Sequence, residues 1–136
     1  MSGRRAAFAA AAESFLGTPF RFRGRDPRTG LDCVGLAIAA LQKIGSAAPP
    51  TAPYAMRQRD YATQLAILAE AGFEGVDDAI RPGDLLLLKA GPAQVHLAVA
   101  GRAGSIIHAH AGLGRVVTTP PPCPLPVERH WRLRKN

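Results

Sequence analysis

Cysteine is scarce in this chain, at two of 136 residues, and acidic side chains are few, at 10 against 17 Lys and Arg. Two cysteines allow one bridge at most, which excludes the disulfide-dense scaffolds of small secreted proteins. No apolar run reaches the roughly 18 to 20 residues of a membrane span, because the longest candidates stop at Arg, Glu, Lys or Pro. The shortage of acids leaves a net charge of +7 and a pI near 10.4. Such a balance implies attraction to an anionic surface, whether nucleic acid, lipid headgroups or a bacterial wall polymer, and does not choose among them. With 47% hydrophobic residues the chain is too apolar for intrinsic disorder. Its length suits one domain, residues 1–136, which would bury about two thirds of the surface its unfolded chain exposes.

Arg4 and Arg5 ahead of an alanine-rich stretch imitate the first two regions of a signal peptide. However, Phe8, Ala12, Phe15 and Leu16 fall at i, i+4, i+7 and i+8, one face of a helix. We therefore expect a helix over about 4–16, stopped by Gly17-Thr18-Pro19, and synthesis in the cytoplasm without a recognisable signal peptide. A basic, aromatic loop follows. A second helix is expected over about 32–45, ending at Gly45, then a Pro/Ala linker over 47–53 and a third helix over about 60–71. Beyond residue 80 short apolar runs at 85–88, 95–100, 105–109 and 115–119 are bounded by Gly, Pro and polar residues. The proline-rich tail admits an edge strand only after Pro126. The expected class is α+β, with N-terminal helices packed on a C-terminal antiparallel sheet of about five strands.

Asp32 is placed to cap the second helix and Cys33 to be its first residue. The free N–H groups and positive dipole end would then face the sulfur and draw the thiol below the ~8.5 of a free cysteine. A small cysteine in an alanine-rich helix can equally serve as packing. A nucleophile also needs a base, and His96, His108 and His110 lie on one expected hairpin. Alternation puts His108 and His110 on one face. An even two-residue loop would send His96 to the other face, whereas an odd loop with Gly101 or Gly104 at positive φ would unite all three. Zinc ligation by the His-x-His pair ranks lower, because structural sites pair close ligands on both sides. Cys123, in a proline cluster, has no helix start to activate it. His130 beside Trp131 reads as a surface residue.

Five blocks, Gly17-Thr18-Pro19-Phe20-Arg21, Gly30-Leu31-Asp32-Cys33-Val34-Gly35-Leu36, Arg81-Pro82-Gly83-Asp84-Leu85-Leu86-Leu87, His96-Leu97-Ala98-Val99 and Ile106-Ile107-His108-Ala109, occur in that order. Together they resemble the signature of the NlpC family of papain-like cell-wall cysteine peptidases over about 17–117. The short length is similar to the phage and prophage branch. The resemblance implies a papain-like fold, Cys33 as nucleophile, His96 as general base and His108 as its orienting partner, where strand alternation alone leaves His108 and His110 equivalent. It implies a peptidoglycan peptide as substrate, with Phe20, Arg21, Asp32, Val34 and His110 near it, no cofactor and no metal. The site of action would be the cell wall, with phage-tail or gene-transfer-particle proteins as further partners. Two positions depart from the family: Phe20 stands where Tyr is common, and Val34 where Ser is common. The rival classes are a non-catalytic wall-binding or particle component of the same fold, and a nucleic-acid-binding domain built on Arg21, Arg23, Arg25 and Arg28. The second is disfavoured, because those arginines lead directly to Cys33 and can bind substrate carboxylates.

Overall fold

A computed structural model describes residues 3–46, 71–92 and 94–134. Helix α1 (Gly3–Glu13) buries Phe8, Ala11 and Ala12 and ends a turn before the periodicity suggested, so that Leu16 is exposed. A two-stranded antiparallel ribbon, β1 (Arg25–Asp26) with β2 (Gly30–Leu31), leads into α2 (Cys33–Lys43). Gly45, at φ +79, follows the end of α2 as the helix-stop reading required. The linker at 47–53 and the third helix expected over 60–71 lie outside the described residues, except Ala71, which is buried and is followed by Gly72 at φ +99.

The sheet has six strands rather than about five. They are β3 (Phe73–Val76), β4 (Leu85–Gly91), β5 (Gln94–Ala100), β6 (Ile106–His110), β7 (Arg115–Thr119) and β8 (Val127–Leu133), in the antiparallel order β3-β8-β4-β5-β6-β7. Strand β3 escapes a pattern reading because Phe-Glu-Gly-Val is short and has no alternation. Strand β8 corrects the tail expectation. It begins just past Pro126, so its N–H groups are all available, and it lies between β3 and β4 instead of at an edge.

Leu85–Leu88 reads as an unbroken apolar run because both faces of β4 are covered. Leu85, Leu87, Leu97, Val99, Ile107, Ala109, Trp131 and Leu133 pack beneath α1 and α2. On the other face Leu86, Leu88, Ala98, Ala100 and Ile106 are covered by Cys123, Leu125 and Val127. The proline-rich segment is thus a lid on the outer sheet face, and Cys123 is part of its packing. No disulfide joins the two cysteines.

Asp84, fully buried, receives two hydrogen bonds from the Arg132 guanidinium (2.8 and 2.9 Å) and one from the Arg81 backbone N–H (2.9 Å). Arg132 reaches Asp78 as well, at 2.9 and 3.0 Å. His130, expected at the surface, is instead mostly buried, with Nε2 3.9 Å from Asp84. This cluster ties β8 to the turn that starts β4. Removing one partner of a buried pair leaves the other charge desolvated. Asp84→Ala is therefore expected to cost about 3 kcal/mol or more in urea unfolding, and an unchanged midpoint would show the cluster to be energetically idle.

Candidate active site

The first turn of α2 is built around Asp32. Its Oδ1 accepts from the Gly35 backbone N–H at 2.8 Å, completing the helix cap, and from Arg25 Nη1 at 2.9 Å, while Oδ2 accepts from the Arg23 backbone N–H at 3.0 Å. Arg25 is thereby turned inward, and Arg28 pairs with Asp26 instead. Two of the four loop arginines therefore act within the fold. Gly35 is required by contact: a Cβ there would overlap the Gly24 carbonyl, so only glycine lets the basic loop lie on the helix start. These restraints place Cys33 as the first residue of α2, buried.

Between β5 and β6 the chain turns through a 3₁₀ segment, Arg102–Gly104, with Ala103 at φ 54 and Gly104 at φ +79. The two ladder pairs, Val99 with Ile107 and Ala100 with Ile106, both sum to 206. In that even register His96, His108 and His110 share a face. His96 Nε2 and His108 Nδ1 are 2.9 Å apart, and the His108 and His110 rings are in edge contact at 5.5 Å. Nε2 of His108 lies 2.8 Å from Thr119 Oγ1 on β7. Nδ1 of His110 accepts from the Leu113 backbone N–H at 3.0 Å and so anchors the β6–β7 turn. His108 is thus the residue within hydrogen-bond reach of His96.

The histidines are on the face opposite Leu97, Val99, Ile107 and Ala109, which pack under the helices. The β5–β6 ladder stops after two pairs. Beyond it the Leu97 backbone N–H is close enough to the Cys33 sulfur to favour its thiolate, and thiol and imidazoles line one cavity. The strands therefore open where α2 begins. A cavity of about 470 Å³ results, lined by Cys33, Asp32, His96, His108 and His110, with Phe20, Phe22, Val95, Ala109, Pro124 and Leu125 among its walls. Six of the eight anticipated residues, Phe20, Asp32, Cys33, His96, His108 and His110, thus converge on it. Arg21 is exposed and outside the lining; Val34 packs half-buried against the core. Phe22, an exposed wall residue, was not singled out as a substrate neighbour, although its alternation with Phe20 along the loop was a usable signal. Thr119 was missed too, because its relevance depends on the β6–β7 register.

Electrostatics correct one expectation. Burial, followed by the adjacent Asp32 carboxylate, pushes the Cys33 thiol up to about 12, outweighing the N–H groups of Leu97 and Val34 that favour the thiolate. Burial also brings His96 down to about 4, helped by His108 and His110, and burial with His110 brings His108 to about 4. At neutral pH Cys33 is thus a neutral thiol, and His96 and His108 are neutral imidazoles. Among the described residues no group of three or more His, Cys, Asp or Glu side chains is arranged to hold a metal ion.

A helix-borne cysteine set at the opening of an antiparallel sheet, with a histidine pair on the strands beside it, is a papain-like α+β arrangement. The chain belongs to the NlpC/P60 family, whose model matches residues 17–132. Solved structures agree on the fold. NlpC2 from Trichomonas vaginalis superposes with a TM-score of 0.72 at 20% identity, over 97% of this chain and 47% of that one. The NlpC/p60 domain of the peptidoglycan hydrolase SagA gives 0.58 at 28% identity, over 85% and 88%. The peptidoglycan hydrolase RipB from Mycobacterium tuberculosis gives 0.63 at 19% identity, over 95% and 63%. This chain spans about half the length of the Trichomonas protein. A search of curated protein sequences finds no match.

Proposed function

We propose that this chain, with residues 1–136 as a single domain, is a cysteine peptidase that hydrolyses amide bonds in the stem or cross-linking peptides of bacterial peptidoglycan. The observation that carries the reading is the shared cavity of Cys33 and His96, with His108 bonded to His96 at 2.9 Å. Family membership and the activity named for SagA and RipB support the substrate class.

In this reading the proton of the Cys33 thiol passes to neutral His96 as sulfur attacks the scissile carbonyl. The Cys33 backbone N–H at the start of α2 takes the developing oxyanion, because Phe20 offers no hydroxyl there. Collapse of the tetrahedral species breaks the C–N bond, and His96 returns its proton to the leaving amine. The thioester left on Cys33 is then hydrolysed by water that gives its proton to the same imidazole, releasing a carboxylate and restoring the thiol. A thiol near 12 and an imidazole near 4 make the neutral pair the resting state from which the proton is transferred. The setting we propose is the cell wall, with phage-tail or gene-transfer-particle proteins as further partners.

Incubation with purified peptidoglycan, followed by mass spectrometry of the soluble fragments, tests the reading. Paired fragments with a new amine and a new carboxylate are expected, and their masses name the bond. Binding to the wall without fragments would support the non-catalytic component instead.

A further inference from the structure

We propose that Thr119 is a positioning residue: its hydroxyl oxygen accepts the His108 Nε2–H and thereby selects the imidazole tautomers that make His96 a base. The inference rests on the peptidase reading given above and names a fourth member of that site, on β7.

Two hydrogen bonds in series connect His96 Nε2 to His108 Nδ1 (2.9 Å) and His108 Nε2 to Thr119 Oγ1 (2.8 Å). A neutral imidazole carries one N–H, so the series runs in one of two directions. In the first, His96 Nε2–H donates to His108 Nδ1 and His108 Nε2–H donates to Thr119, which leaves His96 Nδ1 with an open lone pair. In the second, the threonine hydroxyl donates to His108 Nε2 and His108 Nδ1–H donates to His96 Nε2. That direction puts the His96 proton on Nδ1 and removes the base.

The peptidase reading requires the first direction, because only that one leaves His96 a lone pair, on Nδ1, to take the thiol proton. Register explains why Thr119 holds this place. Ile106 pairs with Thr119, Ile107 with Thr118 and His108 with Val117, so Thr119 shares the His108 face one diagonal step away, whereas Thr118 is on the other.

Thr119→Val keeps the β-branched shape and removes the acceptor; Thr119→Ser keeps the oxygen. In the full chain with ¹⁵N-labelled histidine, two-bond ¹H–¹⁵N spectra at neutral pH should show His96 and His108 both protonated at Nε2. Thr119→Val should populate the Nδ1–H forms and Thr119→Ser should not. On peptidoglycan peptides, Thr119→Val should lower kcat on the order of tenfold to a hundredfold with KM little changed, and Thr119→Ser should recover most of it. A wild-type spectrum with His96 protonated at Nδ1 overturns the proposal, and so does Thr119→Val with unaltered tautomers and unaltered kcat. If no variant hydrolyses peptidoglycan, the peptidase reading fails while the spectra still decide the tautomers.

Discussion

Cys33→Ala is expected to reduce peptidoglycan hydrolysis to the background rate while leaving the protein folded. Every covalent step proposed above passes through that sulfur, and no neighbouring group in the cavity can replace it as a nucleophile on a carbonyl without a new base. The fold should tolerate the change. Cys33 is one small member of a core that also contains Phe8, Leu36, Leu97 and Leu133, and loss of a single sulfur costs on the order of 1 kcal/mol. The Asp32 cap on Gly35, which sets the helix start, does not involve the thiol. Side-by-side circular dichroism and fragment release check both halves. An active, folded Cys33→Ala protein would remove the nucleophile assignment. Cys123→Ala serves as the contrast and should stay nearly fully active, because Cys123 packs among Leu86, Leu88 and Leu125 on the outer sheet face.

His96→Ala should lower turnover at least a hundredfold, since it removes the base, and His108→Ala should cost less, because the base remains and only its orientation is lost. The pH profile carries the same information without mutation. A histidine near 4 instead of the ordinary 6.5 is neutral, and able to accept a proton, through the whole mildly acidic range. The acid limb of kcat/KM should therefore fall near pH 4, and a limb near 6.5 would contradict a buried His96 as base. Stability follows with a definite sign. Both His96 and His108 resist protonation in the fold, so between pH 6.5 and 4 the unfolded chain binds more protons than the native one. Their stabilising contribution is complete above about pH 6.5 and is lost as pH falls towards 4. A thermal midpoint lower by about 5 °C or more at pH 4.5 than at pH 7 is the expected reading.

The parts of this site legible in the sequence were those governed by local rules. Asp32 before Cys33 announced a capped helix start, while the odd loop that unites His96, His108 and His110 on one face was one of two options the turn left open, the one the structure takes with Gly104 at positive φ. What was not legible depends on contacts between distant segments. Strand β3 gives no alternation and exists because β8 pairs with it. The tail strand looked peripheral because prolines precede it, yet it starts where they end. The thiol was expected to be acidified by its helix dipole, but the core closes over it, and desolvation with the Asp32 carboxylate prevails. Arg25 looked available to substrate and is spent on Asp32. Thr119 could be found only through the register of β6 on β7, which no residue of the turn at 111–114 announces by itself.

The central claim, that one particular thiol performs the hydrolysis, is tested most directly by titrating the full chain with iodoacetamide and measuring two things on the same samples. One is hydrolysis of peptidoglycan peptides; the other is the extent of alkylation of the tryptic peptides 29–43, which contains Cys33, and 116–129, which contains Cys123. The account predicts that activity disappears in proportion to modification of 29–43 and is indifferent to modification of 116–129. Hydrolysis that persists with Cys33 fully alkylated, or that is lost in step with Cys123, would contradict it.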